Sequence, residues 1–307
     1  MQAAIEHIRQ QSHKPLNVNF FCHHSESRER QREEAWRDQL GGYYRELGIP
    51  RASAKAFSFS FFDETMCAVV ERMRPEVVSF HFGLPAEPLI TRLKNAGCTV
   101  ISTATTVKEA CWLEQNGCDA IIAQGYEAGG HRGMFLTESV ETQVGTLALV
   151  PQVADAVTVP VIAAGGIADG RGIAAAFALG AEAVQIGTAY LFTPEALISN
   201  VYQAALDLAC DDRTMITNVI TGKPARSLIN RIINEMGPMM DEMPPFPQAL
   251  GALAPLRAEA EQAGSDDFSA LWSGQAASLG RKMNCGDLTR QLIDDALSQL
   301  KMLAQRV

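Results

Sequence analysis

The chain has 307 residues, 47% of them hydrophobic and 20% charged, and its formal net charge is −9. This composition is typical of a soluble globular protein that can build one large core, or a barrel with a smaller appendage. The acidic balance and the lack of a long basic run argue against nucleic acid as a partner. No segment is apolar enough to span a membrane, and the N-terminus lacks a signal-peptide core, so we expect a cytoplasmic protein that acts on small molecules.

The seven cysteines are widely spaced and form no Cys-x-x-Cys pair. We therefore expect reduced, mostly buried thiols. The run Cys22-His23-His24 contains metal-ligating residue types. Adjacent residues on a strand point to opposite faces, however, and no second pair follows at zinc spacing, so we expect no metal site.

The first quarter of the chain alternates helices and strands irregularly. Hydrophobic spacing predicts a helix over residues 2–11, an alternating strand over 16–21 and a charged helical segment over 27–47. A helix over 63–73 ends at Arg74-Pro75, and a strand over 76–83 follows. The chain thus begins within a helix, with no strand before it.

From residue 86 onward a regular unit repeats, in which a helix, a glycine and an apolar strand follow one another. The predicted helices cover 86–96, 107–116, 145–156 and 170–179, and the strands cover 99–103, 119–124, 159–164 and 183–187. Almost wholly apolar strands between helices indicate a parallel sheet covered by helices. A doubly wound sheet and a (β/α) barrel both satisfy this pattern.

Two observations favour the barrel. Glycine and polar residues follow each strand, which would gather the chemistry at one carboxyl-end face. A Rossmann sheet would instead concentrate its glycines in one Gly-x-Gly-x-x-Gly turn after the first strand, and the sequence has no such turn. The predicted fold class is therefore α/β, of the (β/α)8 TIM-barrel type.

The stretch from Ala120 to Gly133 is the strongest candidate for an active-site loop. A buried strand ends in a glycine-rich turn that carries His131, whose side chain titrates near neutral pH. Two later glycine turns, at residues 163–170 and 185–189, follow the last two strands. Loops at these places in a barrel commonly bind phosphate, so we expect a phosphate-bearing cofactor. The simpler interpretation is that Gly165-Gly166 only permits a tight turn.

Several motifs together resemble the nitronate monooxygenases, formerly called 2-nitropropane dioxygenases. The similarity extends from about residue 1 to Gln275, and the run Glu-Ala-Gly-Gly-His-Arg-Gly is its most specific part. The glycine pairs alone would also fit other FMN barrels. The matching segments are Asn17-Val-Asn-Phe-Phe21, Ser79-Phe-His-Phe-Gly-Leu-Pro85, Ala123-Gln-Gly-Tyr-Glu-Ala-Gly-Gly-His-Arg-Gly133, Ala164-Gly-Gly-Ile167, Gln185-Ile-Gly-Thr188, Gly222-Lys-Pro-Ala-Arg226 and Trp272-Ser-Gly-Gln275.

This resemblance implies a barrel that binds FMN without a covalent bond and oxidises alkyl nitronates with molecular oxygen. His131 matches the active-site histidine of the family, as a general base or as a hydrogen-bond partner of the nitronate. Amide side chains suit the edge of a flavin ring, and glycine N–H groups suit a phosphate. The positions that match flavin-holding residues of the family are Asn19, Gln124, Gly129, Gly165, Gly166, Gln185, Ile186, Gly187 and Thr188.

Other polar residues near these motifs have two interpretations each. Arg132 could attract an anion, but a residue adjacent to His131 need not point the same way. His81 is a substrate contact or a wall residue. Ser102, Thr103 and Thr105 line a pocket or cap a helix.

Beyond residue 194 the regular pattern ends. We expect a barrel over residues 1–195 and a mainly helical region over 196–307 that packs on it, with a strand near 214–220. The Met- and Pro-rich segment 236–247 could line an apolar pocket mouth or pack irregularly on the barrel. The last helix, over 287–305, presents Leu288, Leu292, Ala296, Leu297 and Leu300 on one side and should dock on the barrel wall.

The sequence departs from the family in its strand count, since six strands are predicted where a barrel has eight. The hypothesis is an N-terminally shortened chain that lacks the first βα units, with Met1 as an internal methionine of the complete protein. Open sheet edges would favour association, so a homo-oligomer is one expectation. Two alternatives to the oxidase remain: a flavin-dependent NAD(P)H reductase of the enoyl-reductase or quinone-reductase type, and a crippled barrel unable to retain FMN.

Overall fold

The computed structural model of this chain describes residues 1–22, 29–54, 57 and 61–306. His23 and His24 of the Cys-His-His run, and the first two residues of the helical segment expected from residue 27, lie outside the described residues.

A curled parallel sheet of six strands forms a half-barrel and organises the molecule. Its strand order is β1-β2-β3-β4-β6-β7, while β5, β8 and β9 form a second, antiparallel sheet. The six strands are the six that the sequence predicted, and the parallel α/β fold of the TIM-barrel type is confirmed. The strands are β1 (Asn17–Phe21), β2 (Val77–His81), β3 (Thr99–Ala104), β4 (Ala120–Gln124), β5 (Gly130–His131), β6 (Val161–Ala164), β7 (Ala183–Gln185), β8 (Thr214–Thr217) and β9 (Ala225–Leu228).

Helices cover the outer face of the half-barrel and build the C-terminal part. Side chains of Asp63, Thr106 and Asp169 cap three of them by accepting hydrogen bonds from first-turn N–H groups. The helices are α1 (Gln2–Gln11), α2 (Arg30–Gln39), α3 (Gly41–Glu46), α4 (Glu64–Met73), α5 (Glu87–Asn95), α6 (Val107–Gln115), α7 (Thr146–Ala156), α8 (Gly170–Ala178), α9 (Asn200–Asp207), α10 (Arg231–Met236), α11 (Leu250–Gln262) and α12 (Cys285–Ala304).

The two faces of the main sheet bury different side chains because successive residues of a strand alternate in direction. Outward side chains such as Phe80 and Ile121 join the large core beneath the helices. Inward side chains form a small apolar cluster that includes Ile101 and Ile122. Towards the carboxyl ends, the inner face carries His81 and other polar side chains. The strand pattern therefore concentrates polar groups at one end of the half-barrel.

A second core lies outside the half-barrel. Trp36 and Tyr44, from α2 and α3, are buried against Ile232, Leu253 and other residues of the C-terminal part. Trp36 Nε1 and the Tyr44 hydroxyl donate hydrogen bonds to main-chain carbonyls of Ala249 and Ala252. Segments from both ends of the chain share this core, so the expected boundary at residue 195 stays a prediction.

The last helix docks on the half-barrel, as the sequence predicted. Leu288, Leu292 and Ala296 are buried in the main core. A Cβ atom on Gly170 of α8 would lie 2.4 Å from the main-chain nitrogen of Ala296, so α8 and α12 pack in backbone contact. Leu297 and Leu300 were expected on the same side but are 51% and 37% exposed. None of the helices in the described part of the chain is long and apolar enough to cross a membrane.

Candidate active site

A cleft of about 830 Å³ opens at the carboxyl ends of the main-sheet strands. Its volume is within the range of cofactor sites, about 300 to 1,000 Å³. The structure brings all ten site residues that the sequence suggested to this cleft. They are Asn19, Gln124, Gly129, His131, Gly165, Gly166, Gln185, Ile186, Gly187 and Thr188.

The loop after β4 is held to the C-terminal part of the chain. Gly130 and His131 form β5 and pair antiparallel with β9. A Cβ atom on Gly129 would lie 2.5 Å from the main-chain nitrogen of Gly274 and 2.6 Å from the carbonyl carbon of Ser273. Residue 129 must therefore be glycine for the loop and the 273–274 backbone to meet, quite apart from any bound molecule.

Two side chains fix the main chain of His131. Its carbonyl oxygen accepts hydrogen bonds from Gln124 Nε2, at 3.0 Å, and from His81 Nε2, also at 3.0 Å. Gln124 Oε1 in turn accepts a hydrogen bond from the main-chain N–H of Gly133, at 2.8 Å. The Gln124 amide thus ties both sides of the turn together, and its Nε2 keeps a second hydrogen.

Aromatic rings surround the imidazole of His131. The ring centroids of Phe21, Phe82, Phe246 and Trp272 lie 5.9, 5.9, 5.2 and 5.1 Å from that of His131. Phe246 comes from the Met- and Pro-rich segment, which thereby reaches the histidine. Phe21 and Trp272 also line the cleft and offer an apolar surface on which a small alkyl group can pack.

The imidazole makes a polar contact as well. His131 Nε2 lies 3.0 Å from Thr221 Oγ1. The Thr221 hydroxyl donates to the carbonyl of Lys223, at 3.2 Å, and accepts from the N–H of Lys223, at 3.3 Å. The hydroxyl has one hydrogen, which either the Lys223 carbonyl or His131 Nε2 can receive, so the tautomer of the imidazole sets which group donates. In either case the contact fixes the orientation of the ring.

Phe82 reaches His131 from a strained turn after β2. Its φ angle is +70°, in the left-handed region that bulky residues rarely adopt. The buried hydroxyl of Ser102 donates to the carbonyl of Gly83, at 2.8 Å, and lies 3.2 Å from that of Phe80, which holds the turn in place. Strain of this kind is typical of functional sites.

Arg132 points away from the cleft and does not serve as an anion site there. Its side chain is fully buried and donates to the carbonyls of Gln124 and Gly125, at 2.9 and 2.7 Å, and to Gln143 Oε1, at 2.9 Å. Burial, together with the nearby Arg226, lowers the pKa of Arg132 to about 10, so the guanidinium stays charged at neutral pH. Its hydrogen bonds hold the main chain of the loop after β4 on the side away from the cleft.

Arg132 is joined to a buried carboxylate by a chain of hydrogen bonds. Gln143 Nε2 donates to Thr105 Oγ1, at 2.8 Å, and Thr105 Oγ1 donates to Glu109 Oε2, at 2.7 Å. Glu109 also accepts from the N–H groups of Phe135 and Leu136. Thr105 is therefore part of the support, and of the three hydroxyls at 102, 103 and 105 Thr103 is the one that lines the cleft.

The far end of the cleft offers main-chain donors. Gly165 and Gly166 have φ angles of +107° and +70° after β6. No described residue accepts a hydrogen bond from the N–H of Gly166 or of Gly187. Thr188 Oγ1 accepts from the N–H of Gly274, at 2.9 Å, which joins this end to the loop that packs on Gly129. Unsatisfied N–H groups at strand ends suit the oxygens of a phosphate.

The opposite wall offers an amide. Asn19 Oδ1 accepts a hydrogen bond from Ser79 Oγ, at 2.9 Å, which turns the Nδ2 group of Asn19 towards other partners. This donor set, the glycine amides and the size of the cleft fit a phosphate-bearing planar cofactor such as a flavin mononucleotide.

Sequence reasoning missed several residues that surround His131. Thr221, Trp272 and Phe246 lie far from residue 131 in the chain, and no local pattern links them to it. Trp272 and Lys223 lie within segments that carry the family resemblance, which was the one available signal. Tyr202, which also lines the cleft, lies in a helix that gave no functional signal.

The chain is similar to known proteins over nearly its whole length. A family model described as nitronate monooxygenase matches residues 1–295. A nitronate monooxygenase of Pseudomonas aeruginosa is 41% identical over 297 residues, which are 96% of this chain and 85% of the relative. One of Paraburkholderia phytofirmans is 40% identical over 305 residues, which are 98% of this chain and 83% of the relative.

Solved structures share the fold. A crystal structure of nitroalkane oxidase from Streptomyces ansochromogenes superposes with a TM-score of 0.89 at 36% identity, covering 99% of this chain and 86% of that one. The structure of FabK from Thermotoga maritima superposes with a TM-score of 0.69 at 28% identity, covering 100% of this chain and 83% of that one.

Proposed function

The chain belongs to the nitronate monooxygenase family, whose members are flavin-dependent oxidoreductases that oxidise nitronates, and from this premise we propose the cofactor, the base and the site residues. The cofactor is FMN, held in the cleft without a covalent bond. The substrates are alkyl nitronates and molecular oxygen. His131 is the general base towards a neutral nitroalkane and a hydrogen-bond partner towards the anionic nitronate.

One observation carries this proposal: a single cleft is lined by His131 and by all nine positions that match flavin-holding residues. Gly165, Gly166 and the run from Gln185 to Thr188 would hold the phosphate end, through N–H groups and the Thr188 hydroxyl. Asn19, Gln124 and Gly129 would contact the ring. When bound, FMN supplies the redox chemistry, in which electrons from the substrate pass to oxygen.

The protein's part is to bind, orient and move a proton. Phe21 and Trp272, which line the cleft beside His131, receive the alkyl group and exclude water. Thr221 Oγ1, 3.0 Å from His131 Nε2, orients the imidazole. The ring then takes the α-proton of a neutral nitroalkane, and in the protonated state it donates that hydrogen to a nitronate oxygen. Such proton transfer contributes roughly 10² to 10⁴ in rate.

An absorbance spectrum between about 350 and 500 nm, followed by release and identification of the chromophore, tests the cofactor, because the colour belongs to the flavin itself. Oxygen consumption with a propyl nitronate and with the neutral nitropropane tests the reaction. A yellow protein that releases FMN and consumes oxygen with nitronate supports the proposal. A colourless protein that does not take up added FMN would contradict the proposal and favour the alternative of an inactive barrel that cannot retain FMN.

The alternative of a flavin reductase is separated by rapid mixing with NADH or NADPH in the absence of oxygen. A nitronate oxidase keeps its flavin absorbance on this mixing and loses it with nitronate. Rapid bleaching by a nicotinamide would instead support the reductase.

A further inference from the structure

Two polar side chains from the inner face of the half-barrel lie in series next to His131. Thr103 Oγ1, on β3, lies 3.1 Å from His81 Nδ1, on β2, and His81 Nε2 lies 3.0 Å from the carbonyl oxygen of His131. None of these contacts uses the imidazole of His131. They hold the main chain of His131, and the position of that main chain determines where the imidazole lies.

The chemistry of the groups fixes the direction of each hydrogen bond. A carbonyl oxygen only accepts, so His81 Nε2 carries a hydrogen and donates it. In a neutral imidazole Nδ1 is then an acceptor, which receives the hydroxyl hydrogen of Thr103. Burial, reinforced by the nearby Arg132, lowers the pKa of His81 to about 4, which keeps the ring neutral at neutral pH. The His131 carbonyl therefore fixes the Nε2–H tautomer of His81, and the Thr103 hydroxyl anchors the ring by donating to Nδ1.

Packing leaves the His81 ring little freedom to leave this position. A Cβ atom on Gly133 would lie 2.5 Å from Thr103 Cγ2 and 2.9 Å from His81 Cε1, so the loop backbone rests directly on both side chains. The ring centroid of Phe82 lies 4.7 Å from that of His81 on another side. Gln124 occupies the second lone pair of the same carbonyl.

We infer that His81 is a positioning residue, which places His131 for proton transfer by donating Nε2–H to its carbonyl while Thr103 anchors the His81 ring through Nδ1. This inference rests on the proposed function in so far as His131 is the base. It adds to that function a role for His81 and Thr103, whose imidazole nitrogens and hydroxyl bond the protein and not the proposed ligands. Gln124 Nε2 and His81 Nε2 together occupy both lone pairs of the His131 carbonyl oxygen.

The kinetic test is a double-mutant cycle on a neutral nitroalkane, with rates expressed per bound flavin. Thr103→Val keeps the shape of the side chain and removes the hydroxyl, and we expect kcat to fall about fivefold to tenfold, the equivalent of one hydrogen bond, with KM changed less than about twofold. His81→Leu should lower kcat at least as much. In the His81→Leu background, Thr103→Val should have no further effect, because Thr103 acts through His81.

Two further variants distinguish a loss of positioning from a loss of folded protein. His81→Gln can place a donor near the same carbonyl and should recover most of the rate lost in His81→Leu. Thr158→Val removes a hydroxyl that bonds Glu114 at the start of β6, far from the cleft, and should leave kcat unchanged. Equal effects of Thr103→Val with and without His81, or no rescue by glutamine, would overturn the inference.

A second measurement does not depend on activity. The chain has six histidines, so ¹⁵N-labelled imidazoles give few signals, and His81→Gln assigns the one in question. We expect a neutral Nε2–H ring for His81 near pH 7, and in Thr103→Val a shifted Nδ1 signal that reports the loss of the hydrogen bond to that nitrogen. A charged ring, or an Nδ1–H tautomer in the unchanged protein, would overturn the inference even if nitronate oxidation is found. Absence of nitronate oxidation with the expected tautomer would instead count against the proposed function alone.

Discussion

His131 Nε2 lies 3.0 Å from Thr221 Oγ1, a group 90 positions further along the chain. The histidine belongs to a loop of the half-barrel, whereas the threonine follows β8 in the C-terminal part. The contact therefore makes the orientation of the imidazole depend on both parts of the molecule.

Removing the Thr221 hydroxyl should slow proton transfer without abolishing flavin binding. In Thr221→Val we expect kcat on a neutral nitroalkane to fall about tenfold, since one hydrogen bond that orients the base is worth roughly 1 kcal/mol. Thr221→Ser keeps the hydroxyl and should retain most of the rate. Steady-state oxygen consumption, normalised to flavin content, measures both. Equal loss in the two variants would show that the methyl group, and not the hydroxyl, matters.

Replacing the base should affect the two substrate forms differently. His131→Asn removes the titrating group, so we expect the rate on neutral nitroalkane to fall roughly 10² to 10⁴-fold. The preformed nitronate has already lost its α-proton and should lose much less. Comparing kcat/KM for the two forms of one compound gives the measurement. Full activity of the variant on the neutral form would remove the assignment of the base.

The sequence predicted the half-barrel well because its signals are local. Apolar strands followed by glycines recur every few tens of residues, and each of the six strands could be read from its own segment. The loop at 120–133 and the glycine turns at 165–166 and 187–188 follow strands, so their shared location could be inferred from the parallel arrangement alone.

The surroundings of His131 could not be predicted in the same way. β5 has only two residues and no periodicity, so its pairing with β9 leaves no trace in the sequence around Gly130. Trp272 lines the cleft and packs on the second core, which joins residues 36–44 to residues from 219 onward, and Phe246 contacts the ring of His131 from the Met- and Pro-rich segment. The Arg132 side chain points away from the cleft because it donates to the carbonyls of Gln124 and Gly125. These features follow from tertiary packing and not from any local pattern.

A methyl group at residue 129 should disturb the closure of the cleft. The Cβ of Gly129→Ala would lie 2.5 Å from the nitrogen of Gly274, and backbone cannot easily give way. We expect a loss of about 1–3 kcal/mol in the free energy of unfolding, the usual effect of overpacking. Gly42→Ala, in α3, has nothing within 4 Å of its Cβ and should be neutral or slightly stabilising. Urea denaturation compares the two.

The buried guanidinium of Arg132 should matter for stability more than its distance from the ligands suggests. Arg132→Met leaves the carbonyls of Gln124 and Gly125 and the Gln143 amide oxygen without their donor. We expect a loss of about 2–4 kcal/mol in unfolding free energy. Arg290→Met, where the side chain is 72% exposed and pairs with Asp287, should cost less than about 0.5 kcal/mol. A small effect at Arg132 would mean that water replaces its bonds.

The neutral His81 ring should make stability fall as the solution is acidified. Burial lowers its pKa from the ordinary 6.5 to about 4, so between these values the unfolded chain binds a proton that the folded chain does not. Stability then rises with pH across this interval and is lost as pH falls from 6.5 towards 4, by up to about 3 kcal/mol. His81→Gln has no such proton, and its stability should decline less over the same interval. Urea denaturation of both proteins at several pH values measures the difference.

Above pH 7 the two curves of stability against pH should run parallel, which serves as the internal control. A difference that stays constant from pH 8 to pH 4 would show that His81 takes up its proton in the folded protein as readily as in the unfolded chain.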